Sequence, residues 1–414
     1  MRLKPLLTAG LTAIAGAGLA HASTSAPVWE DLFTQGTAKL DFRYRYEQVD
    51  QDNALRRADA STLRSRLTLQ SGSVYGLSLL AEADNVAVLG GERYFDTRNG
   101  RNDYSTVLDP SGSEINQLWV RYQHQYGEAT AGRQRILLDN QRFVGGVAWR
   151  QNEQTYDGFL ARLTPLGELV LTYAYIDQIN TILGPEGQYN VPVLPANVHG
   201  HSHLLNAAWL LSPALKLTGY HYELGLDNMA LAGVGAGGQS SRTTGLRASG
   251  KLQGVDYLVE YAEQRDHDGN PQRIDANYML AELSYQAAGK MLKLGHERLG
   301  GDRGPGNGAF QTPLATKHIF QGWADMFLIT PPAGIEDSYL TGSMPLLGGK
   351  LEAWYHDFRA ETGSSRYGYE IDVAWSRPIA QLPGLTVMLK GADYQARDFG
   401  VDTRKLWLQL QYQL

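Results

Sequence analysis

Polar and apolar residues alternate one for one along several stretches of this chain. Between Lys39 and Glu47, Leu40, Phe42, Tyr44 and Tyr46 hold one set of positions, and Lys39, Asp41, Arg43, Arg45 and Glu47 hold the other. Successive side chains of a β-strand point to opposite faces, so the segment predicts a strand with one apolar and one charged face. Five charges on the second face do not suit a globular core strand. They suit a wall that separates lipid from water.

The pattern returns elsewhere. Leu406, Leu408, Leu410, Tyr412 and Leu414 alternate with Lys405, Trp407, Gln409, Gln411 and Gln413 at the end of the chain. Val255, Tyr257, Val259 and Tyr261 stand against Asp256 and Glu260, Tyr369, Ile371, Val373 and Trp375 against Glu370 and Asp372, and Leu118, Val120 and Tyr122 against Gln117, Trp119 and Arg121. Together these runs are a strong period-two signal.

Connection lengths add an independent constraint. Short connections are expected near 71–76, 126–128, 165–167, 212–214, 250–254, 287–289, 345–349 and 378–384. Mostly longer ones interleave with them near 48–61, 86–113, 136–153, 178–200, 224–241, 263–275, 299–333, 360–367 and 396–402. Eight short and nine other connections predict about eighteen strands, with both termini on the short-turn side. This is the plan of an all-β transmembrane antiparallel barrel with short periplasmic turns and long extracellular loops. Lipid cannot satisfy backbone N–H and C=O groups, so strands that enter it must close into a barrel. Tyr44, Tyr46, Tyr173, Tyr175, Trp209, Tyr220, Trp375 and Tyr412 are expected to form the interfacial aromatic girdles.

Ahead of the first strand, Arg2 and Lys4 precede an apolar run from Leu6 to Leu19, followed by Ala20-His21-Ala22. This reads as a secretory signal over residues 1–22, cleaved near Ala22, leaving 23–414 as a single barrel domain in the outer membrane of a Gram-negative bacterium. After it, no apolar stretch approaches the ~20 residues of a membrane helix. The 46 Gly and 23 Tyr with a mean hydropathy of only −0.32 suit a barrel that is apolar outside and polar inside. Cysteine is absent, which excludes disulfides and thiolate metal sites. The net charge of −6 argues against a nucleic-acid partner.

Three motifs carry less than their form suggests. Gly233, Gly235 and Gly238 match G-x-G-x-x-G, but no helical pattern follows, so a dinucleotide site is not expected. Asp266-His267-Asp268-Gly269-Asn270 opens like a calcium loop, yet Pro271 takes the place of the required glycine and no closing Glu follows; it reads as a polar external turn. His199, His201 and His203 would share one face of a strand, as zinc or copper ligands do, although a polar strand approach beneath a loop rim explains them as well. No catalytic residues, metal or cofactor are assigned.

The arginines are more informative. Arg43, Arg45, Arg64 and Arg66 fall on the lumen face of two adjacent strands, and Arg121 takes that face on a later one. Arg133, Arg135, Arg142 and Arg150 cluster about the third long connection, where no parity is readable. Asp41, Glu47, Glu82, Asp84, Glu260 and Asp372 also face inward, so the arginines either brace the wall against acids or recruit anions through their planar forks. The two readings are compatible.

The stretch Gly132-Arg133-Gln134-Arg135, continuing through Asp139–Gly145 to Trp149–Gly158, resembles the signature of alginate-export-domain outer-membrane proteins. The resemblance implies a monomeric eighteen-stranded barrel with an electropositive constriction, Arg133 as a pore arginine, and Arg150 as a second one. The expected pore-lining set is therefore Arg43, Arg45, Arg64, Arg66, Arg121, Arg133, Arg135 and Arg150. The expected partners are outer-membrane lipid and lipopolysaccharide and an anionic small-molecule or oligosaccharide solute. The leading reading is a passive porin for oligosaccharides, uronates or organic acids. An uptake channel for apolar or aromatic compounds, an outer-membrane lipid-modifying enzyme and a plugged structural barrel are the alternatives. The mature chain should fractionate with outer membranes and migrate differently before and after boiling. Recovery as a soluble periplasmic protein would contradict the barrel.

Overall fold

Closure of the sheet is the first demand that lipid makes on a strand protein, and the computed structural model meets it. It describes residues 28–184, 194–302, 304 and 306–414; the expected signal at 1–22 lies outside them. A short helix, α1 (Asp31–Thr34), precedes eighteen antiparallel strands. They are β1 (Thr37–Gln51), β2 (Ala58–Gln70), β3 (Leu77–Val88), β4 (Gly112–His124), β5 (Gly127–Gln134), β6 (Thr155–Leu166), β7 (Leu169–Asn180), β8 (Asn197–Ser212) and β9 (Leu215–Leu224) in the first half. The second half holds β10 (Ser241–Leu252), β11 (Val255–Asp266), β12 (Asp275–Ala287), β13 (Lys290–Leu299), β14 (Ile335–Leu346), β15 (Gly349–Arg359), β16 (Arg366–Pro378), β17 (Leu385–Ala396) and β18 (Thr403–Gln413). Each strand pairs with its neighbours in the chain, and β1 seals against β18 from Asp41–Gln413 to Gln51–Thr403.

The interleaved connections are as the sequence predicts. On the periplasmic side, Gln253-Gly254, Ala288-Gly289 and Leu347-Gly348 are two-residue turns with positive φ at both positions. That geometry matches the twist of the flanking strands, and glycine adopts it without steric cost. The external connections run from 52–57 to the long segment 300–334. Four of them are designated L2 (89–111), L3 (135–154), L5 (225–240) and L7 (300–334).

Parity follows the alternation. Leu406 is 55% exposed toward lipid, whereas its neighbours Lys405 and Trp407 are buried. Trp209 and Tyr173 face outward as girdle residues should. Tyr220 does not. It is buried inside, 4.9 Å from Tyr222 ring to ring, and its hydroxyl donates to Glu260 at 2.8 Å. It shares parity with Thr218 and Tyr222 on the lumen face of β9, so it belongs to the interior packing and not to a girdle.

Along each strand the lumen face changes from wet to dry. Lys39, Gln70 and Gln413 at the periplasmic end are exposed, whereas Arg43, Glu47, Lys405 and Trp407 farther out are buried. The outer half is filled by L3 and L7, which join through a parallel bridge between Val144 and Leu314. The Gly145 N–H donates to the Leu314 carbonyl at 2.8 Å, and the Thr316 N–H to that of Gln141 at 3.0 Å. Two aromatic clusters seat the pair. Phe143 of L3 packs on Tyr220, Tyr278 and Phe310, and Phe327 of L7 on Phe358, Tyr367, Tyr394 and Phe399.

These faces set a direct test. Leu408 lies on the lipid side, in register with Leu389 and Tyr46. Leu408→Arg should impair assembly, because a midplane arginine on that face costs roughly 2–4 kcal/mol. Gln411→Arg, beside Asp41 in the lumen, should be tolerated. Heat-modifiability gels report both, and equal defects would contradict the assigned parity.

Candidate functional site

Pairing of β1 with β2 places Arg43 directly opposite Arg64. Like charges at such positions repel, so the wall must supply compensation. Arg64 pairs with Asp41. Arg66 forks onto Asp84 at 2.7 and 2.6 Å and reaches Glu153 of L3 at 2.7 Å. Glu153 also accepts from Arg135 at 2.5 Å, and Arg135 continues to Glu82 at 2.6 Å. Burial opposes the charge on Glu153, but Arg66 and Arg135 hold its carboxyl well below the usual range.

Arg43 is compensated differently. Its Nε donates to the Gln151 side chain at 3.1 Å, and its Nη atoms to the carbonyls of Ala148 and Arg150 at 3.0 and 2.7 Å. Gln151 in turn donates to the Thr62 hydroxyl at 2.9 Å. Arg150 reaches across to Glu47 at 3.0 Å, and Arg45 donates to Gln409 at 2.6 Å while lying 4.1 Å above the Trp149 ring. Segment 148–153 of L3 is thus laid flat on the basic wall. These residues belong to the stretch that carries the family resemblance, and here they lie over the inner face of β1 and β2.

L7 docks on β16, three strands round the ring from β1. Glu370 and Asp372 of β16 accept the backbone N–H groups of Ala324 at 2.6 Å and Trp323 at 3.2 Å.

Of the eight expected pore residues, six form one cluster: Arg43, Arg45, Arg64, Arg66, Arg135 and Arg150. Arg121 faces the lumen but sits apart near the periplasmic end, donating to Thr130 at 3.1 Å and lying 3.5 Å from Glu128. Arg133 is a correction. It is in register with Leu118, whose side chain faces lipid, and it forks onto Asp157 at 2.7 and 2.8 Å. It therefore stands on the outer face, and Arg135, two residues on, enters the lumen because β5 ends at Gln134. Arg142, also in that stretch, is buried on Glu297 at 2.7 Å.

Lys390, Lys405, Asp109 and Asp325 also belong to the site. The two lysines follow lumen parity and could have been read from it. The two aspartates sit in L2 and L7, where no period marks a face. His199, His201 and His203 share the outer face of β8; His201 and His203 bond the hydroxyls of Tyr175 and Tyr173 at 2.8 and 3.0 Å. Among the described residues, no group of three or more His, Cys, Asp or Glu is placed to hold a metal ion.

Above the covered wall lies a chamber of about 310 Å³ between the external loops. Phe95, Leu108, Val147, Ile182, Met229 and Ile329 supply apolar lining, and Arg150, Lys317, His318 and Asp325 supply charged and polar groups.

Among solved structures, Acinetobacter baumannii OccAB4 is similar with a TM-score of 0.70 at 14% identity, over 92% of this chain and 98% of that one. Pseudomonas aeruginosa OccK3 (OpdO) gives 0.68 at 16%, over 93% and 97%, and P. aeruginosa OpdK with vanillate gives 0.67 at 15%, over 92% and 99%. These likenesses concern the fold. No curated protein matches the chain. The alginate export family matches residues 35–311, from the start of β1 into L7 and more than half of the chain. This outer-membrane β-barrel belongs to the alginate export family.

Proposed function

We propose that the chain works alone as a passive channel for anionic solutes, such as oligosaccharides, uronates or small organic acids. The observation that carries this reading is Arg43. It is buried at the floor of the covered half, and among the described residues no carboxylate pairs with it. Its acceptors are the side-chain amide of Gln151 and two carbonyls of L3, all neutral. When segment 148–153 lifts, Arg43 becomes an unpaired positive charge beside Arg64 at the level where the lumen closes. A planar guanidinium in a narrow pore draws carboxylates. A structural relative, OpdK, is described with vanillate, which is a carboxylate. A passive pore follows the gradient, so the same wall serves import or export.

The second reading, uptake of apolar or aromatic compounds, is favoured by one feature, the apolar lining of the external chamber. The two readings meet in a solute that carries both an apolar body and an acid.

Planar-bilayer recording in a KCl gradient tests the first reading. Arg43→Gln should shift the reversal potential toward cation preference, and more strongly at 0.01 M than at physiological salt, where the Debye length shrinks from ~30 to ~8 Å. Arg66→Gln should act differently, because it strands Asp84 in a buried site and leaves Glu153 to Arg135. Breaking such pairs costs about 3–5 kcal/mol, so its main effect should be poorer assembly. An Arg43→Gln channel with unchanged selectivity at low salt overturns the anion reading.

A further inference from the structure

One loop carboxylate in the closed half gathers donors from several elements. Asp325 comes from L7, and three donors from three different elements converge on it. Its Oδ2 accepts from Lys405 of β18 at 2.8 Å and from Arg150 of L3 at 3.4 Å. Its Oδ1 lies 2.9 Å from His318 Nδ1. Lys390 donates to His318 Nε2 at 2.7 Å, which leaves the imidazole proton on Nδ1 and makes it a donor to Asp325. Burial opposes the charge on Asp325, but Lys405, His318 and Arg150 hold its carboxyl well below the usual range. The ammonium of Lys390 is itself caged by Trp149, Trp323 and Trp407, at 4.1, 3.6 and 5.4 Å from their ring centres.

This is a carboxylate-binding site filled by the chain's own carboxylate. Asp325 also has φ +59°, a left-handed conformation that a non-glycine residue holds only against a steric penalty. Asp325, Arg150 and His318 line the external chamber together with Lys317, and most of the remaining lining is apolar. A chamber of about 310 Å³ is at the small end of the range for small-molecule sites, ~300–1,000 Å³. It admits one ring and one acid group, and it is too small for a polysaccharide.

We infer that this chamber binds a small amphipathic carboxylate, and that the solute's carboxylate displaces Asp325 from Arg150 and Lys405. The apolar body of the solute rests on residues such as Val147, Ile182 and Met229. The acid group takes over the donors, and the freed Asp325 lets the 323–328 part of L7 lift from the wall. The inference rests on the anion-channel reading and narrows its substrate class. Asp325 then sets specificity, because a solute must outcompete it.

The test uses the full-length protein and benzoate as probe, with acetate and benzyl alcohol as controls. Benzoate should quench or shift the fluorescence of the tryptophans around Lys390 in a saturable way, and neither control should do so at the same concentrations. Asp325→Asn keeps the shape of the side chain but removes the competing charge, so benzoate should bind at least about tenfold tighter. Equal responses to benzoate and acetate in the unaltered protein overturn the inference, and so does unchanged benzoate affinity in Asp325→Asn. The first comparison needs no variant, so a misassembled Asp325→Asn leaves it intact. Reversal potentials separate the two readings: an anion-selective channel that ignores benzoate sinks only this inference, and a non-selective one that binds it sinks only the other.

Discussion

Hydrocarbon offers backbone amides no partner, and every level of this structure follows from that constraint. It forces β1 to seal against β18 and makes the sheet a cylinder. It makes outward side chains apolar and frees inward ones to be charged. It also leaves the wall independent of its contents, because the barrel's hydrogen bonds run around the ring. The lumen can then hold loops that take no part in the ring of strands.

What fills the lumen shows how charge is managed in a confined space. An isolated buried charge is expensive, and a paired one is tolerated only with good geometry. Arg66 meets this rule by forking onto Asp84 and sharing Glu153 with Arg135. Arg43 meets it through neutral carbonyls of L3, and Asp325 brings its own charge to Arg150 and Lys405. The first arrangement braces the wall. The other two depend on residues of L3 and L7. In the proposed channel that difference separates a strut from a solute-binding surface.

The strands were legible in the sequence because lipid imposes a period of two on them, and the inward positions of Arg43, Arg45, Arg64, Arg66 and Arg121 followed from it. Tyr220 was misplaced because aromatic residues suit both a girdle and an interior, and only the register of β9 decides between them. Arg133 lies in Thr130-Ala131-Gly132-Arg133-Gln134, where small residues give no contrast between faces. Near the outer end of β5 an outward arginine is accommodated by Asp157. Loop residues such as Glu153 and Asp325 acquire their roles only when L3 and L7 fold inward, and no local pattern announces that.

L3 and L7 are the segments that fill the outer half of the barrel. Single-channel conductance measures this most directly, comparing the full chain with one in which residues 310–328 of L7 are replaced by a short Gly-Ser linker. The wall's own hydrogen bonds should preserve the barrel, and the small, interrupted current steps of the full chain should become large, steady ones. Identical conductance in the two proteins, or none in either, would contradict this.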